Sequence, residues 1–127
     1  MYEGKEEEAK RYVAQFKKHV EAAKESLPAG HYEMYMSAVY VYELRLHIAI
    51  RPVKAMNLAK EATQLAPQDP LVLAYYGTSL YYAPRPFGSK KEALRYFKQA
   101  ATLFEGDEWQ YCWVRKATEM YIREIER

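Results

Sequence analysis

The sequence predicts an all-α protein of about six helices. Chain breakers recur at short intervals: Pro28-Ala29-Gly30, Arg51-Pro52, Pro67 to Pro70, Ala83 to Ser89, and Gly106-Asp107. The segments between them are long enough for helices, and their apolar residues fall three and four apart. None alternates with the two-residue period of a half-buried strand.

The first segment runs from about Glu6 to Leu27. Ala9, Tyr12, Val13, Phe16, Val20, Ala23 and Leu27 follow helical spacing and form one apolar stripe. Glu6, Glu7 and Glu8 are expected in its first turn, where negative charge suits the helix dipole. The second segment, about Tyr32 to Ile50, is apolar on most sides and has to be covered by neighbours. The third, Pro52 to Ala66, opens on a proline whose missing N–H does no harm there. Pro70 plays the same part in the fourth, which runs to Tyr82 with Asp69 as its cap. Ser89 is the expected cap of the fifth, to Phe104, and Asp107 of the sixth, about Glu108 to Ile125. Short turns between helices make sequential neighbours antiparallel, so the architecture is a bundle or a solenoid.

A chain of 127 residues, half of them apolar, reads as one domain, residues 1–127. A domain of this length hides roughly 65–70% of its unfolded surface, enough for a core without disulfides. The charges nearly cancel, to +2, and the basic pairs Lys17-Lys18 and Lys90-Lys91 have Glu21 and Glu92 close by. That balance argues against nucleic acid as a partner. The single cysteine, Cys112, has no partner in the chain, and a buried, inert thiol is expected. The start, MYEGKEEEAK, is acidic and lacks the apolar core of a signal peptide. The apolar run from Met34 to Ile50 is interrupted by Ser37, Glu43, Arg45 and His47, which argues against a membrane span. The chain reads as soluble, cytoplasmic by default, or exported if a leader has been removed.

A repeat decides between bundle and solenoid. Ala55-xxx-Ala59-xx-Ala62 is matched by Ala93-xxx-Phe97-xx-Ala100 at a displacement of 38 positions (93 − 55). The preceding helices match more loosely, Val39-xx-Tyr42-Glu43-xx-Leu46 against Leu73-xx-Tyr76-Gly77-xx-Leu80. This resembles the tetratricopeptide family, whose ~34-residue repeat carries W-x2-L-G-x2-Y, then A-x3-F, then proline. The resemblance covers about Met36 to Glu105 and implies antiparallel helix pairs stacked as a right-handed solenoid. In its terms residues 1–30 are an N-terminal helix or half-repeat and residues 31–69 the first repeat. Residues 70–106 are the second repeat, and 107–127 a C-terminal capping helix. Glu43 to Ala55 spans the family interval of 12 residues (55 − 43), whereas Gly77 to Ala93 spans 16 (93 − 77), so four extra residues lie within Ala83 to Ser89. There Pro84 and Pro86 restrict the backbone, and Phe87 is expected to anchor the turn by packing on the adjacent helices. Glu43 stands where the family prefers glycine, so the helices of the first repeat are expected to splay. Val39 and Leu73 replace the family tryptophan, and Glu105-Gly106 stands where a proline is usual. The string YYAPRPFGSKKEALRYFKQAATLFE, followed by Trp109, is similar to bacterial tetratricopeptide-like proteins with a Pro-x-Phe-Gly turn.

No nucleophile elbow, P-loop or dinucleotide fingerprint occurs, and no cofactor is implied. Glu43 and His47 lie four residues apart, a metal-ligand spacing, but further ligands are missing and a structural bond is the plainer reading. Glu105, Asp107 and Glu108 read as helix-start charges rather than catalytic carboxylates. What stands out is thirteen tyrosines, a side chain with apolar area and a polar tip that suits partly exposed grooves.

In the tetratricopeptide family the first helix of each repeat lines a concave face. By register that implies Ser37, Tyr40, Leu44 and His47, then Leu71, Ala74, Thr78 and Tyr81 flanked by Tyr75 and Tyr82. Trp109, Cys112, Trp113, Lys116 and Glu119 follow if the sixth helix continues the stack. The candidate partner-binding residues are therefore Tyr40, His47, Tyr75, Thr78, Tyr81, Trp109, Trp113 and Lys116. The Lys and Asn set with which some members clamp a terminal carboxylate is missing. The expected function is a non-catalytic scaffold for a protein or peptide. Homo-oligomerisation through the same face, or carriage of a small apolar ligand, is the alternative. The plainer reading of the aromatics is core, or a groove covered by the first helix.

Overall fold

The computed structural model describes residues 2–104 and 112–127. Among them lie six α-helices and no strand, so the protein is all-α. The chain divides into two compact units, Met1–Ala62 and Thr63–Arg127. None of the described helices is long and apolar enough to cross a membrane.

The first unit opens with α1 (Tyr2–Ala23), which runs into a 3-10 turn, Lys24–Ser26. The helix starts a turn earlier than expected, so Glu6, Glu7 and Glu8 lie beyond its first turn. No breaker except Gly4 precedes them, and one exposed glycine costs only about 1 kcal/mol in a helix. Leu27, which precedes Pro28, is extended (φ −79°, ψ 145°), as steric clash with a following proline ring demands. Gly30 then turns the chain with φ 82°, a conformation suited to a residue without Cβ.

Helix α2 spans His31–Arg45 and ends five residues earlier than its apolar run suggested. His47 is consequently not helical; it sits in the left-handed region (φ 57°) and its side chain is exposed. The Ile48 N–H donates to the Glu43 carbonyl (2.8 Å) and the His47 N–H to the Leu44 carbonyl (3.2 Å). Together these form a Schellman motif with histidine in the position glycine usually takes. The chain therefore leaves the helix at His47, well before the Arg51-Pro52 breaker.

Pro52 begins α3 (Pro52–Leu65). The core of the unit joins Val13 and Val20 of α1, Met36, Val39 and Tyr40 of α2, and Ala55 of α3. The buried Ser37 hydroxyl donates to the Ala55 carbonyl (2.7 Å), tying α2 to the first turn of α3. Ala59 and Ala62 are fully buried.

In the second unit Asp69 caps α4 (Pro70–Tyr82), its carboxylate accepting from the Leu71 N–H (3.0 Å) and the Val72 N–H (3.4 Å). Ser89 caps α5 (Lys90–Leu103) by accepting from the Glu92 N–H (3.2 Å). Helix α6 is Cys112–Glu126; the expected Asp107 cap lies outside the described residues. Ala93, Phe97 and Ala100 of α5 are fully buried, and α5 packs on both α4 and α6. Leu73, Ala74, Ala100, Phe104 and Val114 close the other side of the core.

Pro84 has no N–H for the Leu80 carbonyl four residues back. The Ser89 N–H takes that place at 3.0 Å, while the Phe87 and Gly88 N–H groups both donate to the Pro84 carbonyl (2.9 and 3.1 Å). The turn is thus held by its backbone. Phe87 is 38% exposed and is not the buried anchor that was expected. A Cβ on Gly88 would run into the Ala83 carbonyl and stand 2.9 Å from the Leu80 oxygen, which closes this position to larger residues.

Ala93→Leu and Ala62→Leu should each destabilise the protein by roughly 1–3 kcal/mol through overpacking, read as a lowered thermal midpoint. Gly88→Ala should speed hydrogen exchange at the Ser89 amide more than at the α5 interior. Unchanged exchange at Ser89 would show that the turn does not depend on that close approach.

Candidate functional site

The predicted site residues divide between the units. Tyr40 and His47 belong to the first, Tyr75, Thr78, Tyr81, Trp113 and Lys116 to the second, and Trp109 lies outside the described residues.

Tyr40 is 7% exposed. Lys17 Nζ (5.9 Å), the Arg51 guanidinium (5.4 Å) and Lys54 Nζ (5.0 Å) all lie within cation–π range of its ring centroid. Lys17 comes from α1, so the first helix covers this ring, as the plainer sequence reading allowed. The same ammonium is 3.9 Å from Glu43 Oε2, and Glu43 is itself buried with no donor to Oε1 among the described residues. The carboxylate that stands at the family's glycine position therefore sits inside the unit with an ion pair as its compensation. His47, off the helix, does not share a helical face with it.

In the second unit Tyr75 and Thr78 are half-buried, and the Thr78 hydroxyl donates to the Ala74 carbonyl (2.9 Å). Tyr81 enters a ring cluster, its centroid 4.9 Å from Tyr82 and 5.0 Å from Tyr121. Tyr121 in turn stacks on Phe97 (5.0 Å, 10° between planes), and its hydroxyl is 2.9 Å from that of Tyr82. Tyr121 did not figure among the sequence candidates. Its signal was available: it falls seven residues after Val114 and three after Thr118, the buried stripe of α6.

Trp113 and Lys116 are both exposed, Trp113 by 74%. Cys112 is exposed as well, which corrects the expectation of a buried thiol. It precedes Val114 by two residues, about 200° around the helix, and so faces away from the core. Cys112, Lys116 and Glu119 share that outer face. An exposed indole beside a lysine can take up an apolar or aromatic group and orient it with one cation. The acids Glu105, Asp107 and Glu108 lie outside the described residues. Among the described residues no group of three or more His, Cys, Asp or Glu side chains could hold a metal ion.

Burial, then the hydrogen bond to Tyr82, then the charges Tyr82 and Tyr81 would carry, push the Tyr121 hydroxyl up to about 12. Burial first, with Tyr96 and Glu92 adding to it, also raises Tyr76. A phenol raised above its unfolded value near 10 keeps its proton in the native state while the unfolded chain ionises. Its contribution is therefore complete below pH ~10 and is lost as pH rises toward 12. Absorbance at 295 nm should show a tyrosine titrating last, removed by Tyr121→Phe. Loss of the late step in Tyr42→Phe instead would reassign it.

No protein-family model matches this chain, and comparison with curated proteins and with solved structures finds no significant match.

Proposed function

We propose that the protein is a non-catalytic scaffold that binds a protein or peptide segment through aromatic side chains, its helix pairs stacked as a right-handed tetratricopeptide-like solenoid. The solenoid reading is supported by the pairing of small with large residues at the repeat positions, Gly77 against Phe97 with Ala93 and Ala100 buried beside them. The binding reading rests on one observation, the 74% exposure of Trp113. An indole left in water forgoes a large burial free energy, and tryptophan is among the residues that dominate binding energy when a partner covers them. Tyr82, 61% exposed, is a second large apolar side chain left open in the same unit. Lys116 adds a single charge. A wall so weakly charged gives an affinity that depends little on salt.

The test is a random peptide library displayed on phage and panned against the full chain. Enriched peptides should lose at least tenfold in affinity for Trp113→Ala, about 1.4 kcal/mol, and nothing for Gln99→Ala on the exposed side of α5. Peptides that bind Trp113→Ala as well as the parent protein, or a library that enriches none, would remove the proposal. A solution mass of two or more chains that reverts to one in Trp113→Ala would transfer the same face to self-association.

A further inference from the structure

Away from the outer face of α6, the second unit has a cleft of about 610 Å³ between the end of α4, the 83–89 turn and the first residues of α5. Leu80, Ala83, Pro86 and Gly88 form much of its wall, with the Tyr81 ring at one side. Three cations line it, Arg85, Lys90 and Lys91, and none of its lining residues is acidic. Arg85 and Lys91 make no ion pair or hydrogen bond with their side chains among the described residues. Lys90 has only the Tyr81 ring, 5.3 Å from its ammonium. Glu92, the nearest acid in sequence, does not line the cleft; its charge is felt at the Tyr76 hydroxyl instead.

Three cations at one cleft, none paired with an acid among the described residues, repel each other, and an anion that enters relieves the repulsion and gains their attraction. A guanidinium fork fits the oxygens of an oxyanion in pairs, and the two ammonium groups act as point charges around it. The volume says more. Clefts of ~300–1,000 Å³ hold whole small molecules, so a lone inorganic anion would leave most of this one to water. Its apolar wall is suited to an organic group.

We infer that this cleft binds a small organic phosphate, its phosphoryl oxygens held by Arg85, Lys90 and Lys91 and its organic part resting on Ala83 and Pro86. The site is separate from the Trp113 face and stands or falls without it. A doubly charged phosphoryl group matches the three cations better than a single carboxylate does. An enclosed apolar ligand is disfavoured, because the cations would lose water without gaining a partner.

Amide chemical shifts of the isotope-labelled full chain, titrated in low salt with phenyl phosphate, inorganic phosphate and phthalate, provide the test. Phenyl phosphate should give saturable shifts confined to residues 80–91. It should bind more tightly than inorganic phosphate, and also than phthalate, which matches it in ring and charge but not in phosphoryl geometry. Arg85→Gln combined with Lys91→Gln should weaken it tenfold or more. Arg11→Gln with Lys18→Gln, an equal loss of charge in the first unit, should change nothing, and Trp113→Ala should leave it intact. All these positions are exposed, and an unchanged helical spectrum certifies each variant; Lys91→Glu serves as a second reporter should the double variant fail that check. Diffuse or unsaturated shifts, equal losses in the two double variants, or phthalate binding as tightly as phenyl phosphate would each overturn the assignment. So would binding of a phosphopeptide in the absence of any response to phenyl phosphate.

Discussion

At Gly77 the backbone of α4 lies so near the Phe97 ring that a Cβ there would stand 2.8 Å from its Cε1 atom. That ring cannot simply retreat, because its other neighbour is Tyr121, stacked on it at 5.0 Å. The second unit is organised around this sandwich. The missing side chain at position 77 sets how closely α4 and α5 approach, and Phe97 carries that spacing through to α6. Fully buried alanines at 93 and 100 let α5 sit deep between its neighbours. Close-packed interiors turn such a constraint into a fixed geometry, since small displacements cost contacts on every side.

Tyrosine plays two roles in this frame. Tyr76, Tyr81 and Tyr121 contribute ring area to the packing of the second unit, and the Tyr121 hydroxyl meets that of Tyr82, which is the compromise their chemistry allows. Tyr40 is treated differently. Its ring is buried under three cations, one of which also compensates the buried Glu43 carboxylate. Breaking such an arrangement on one side leaves an uncompensated charge, so the pieces have to be kept together. Of the aromatic residues that a repeat register would assign to binding, Trp113 and the flanking Tyr82 are left largely in water.

Much of the helical layout was legible because it is written in local chemistry. Pro52 and Pro70 at helix starts, with Asp69 and Ser89 as caps, act through atoms within three residues of themselves, and the sequence contains those atoms. The end of α2 was hidden for the opposite reason. Leu46, Ile48 and Ile50 continue an apolar pattern, and the residue that turns the chain is His47 rather than the glycine that would have marked it. Phe87 misled through its size: a large ring in a turn suggests an anchor, but proline's missing donor had already handed the task to the Ser89 amide. The three cations at Tyr40 come from α1, the 46–51 segment and α3, and the clustering of rings around Tyr121 spans three helices. Neither leaves a trace at fixed spacing in the chain.

Cys112 is the chain's single cysteine, it is exposed, and it is the residue next to Trp113. A maleimide dye would therefore attach at one place, within a few ångströms of the indole, with no engineering of other positions. Tryptophan quenches many dyes on contact, so a labelled sample would carry its own optical gauge of whether that indole is free or covered. The same thiol would join two molecules in air, and a solution mass taken without reductant would count that bond as association.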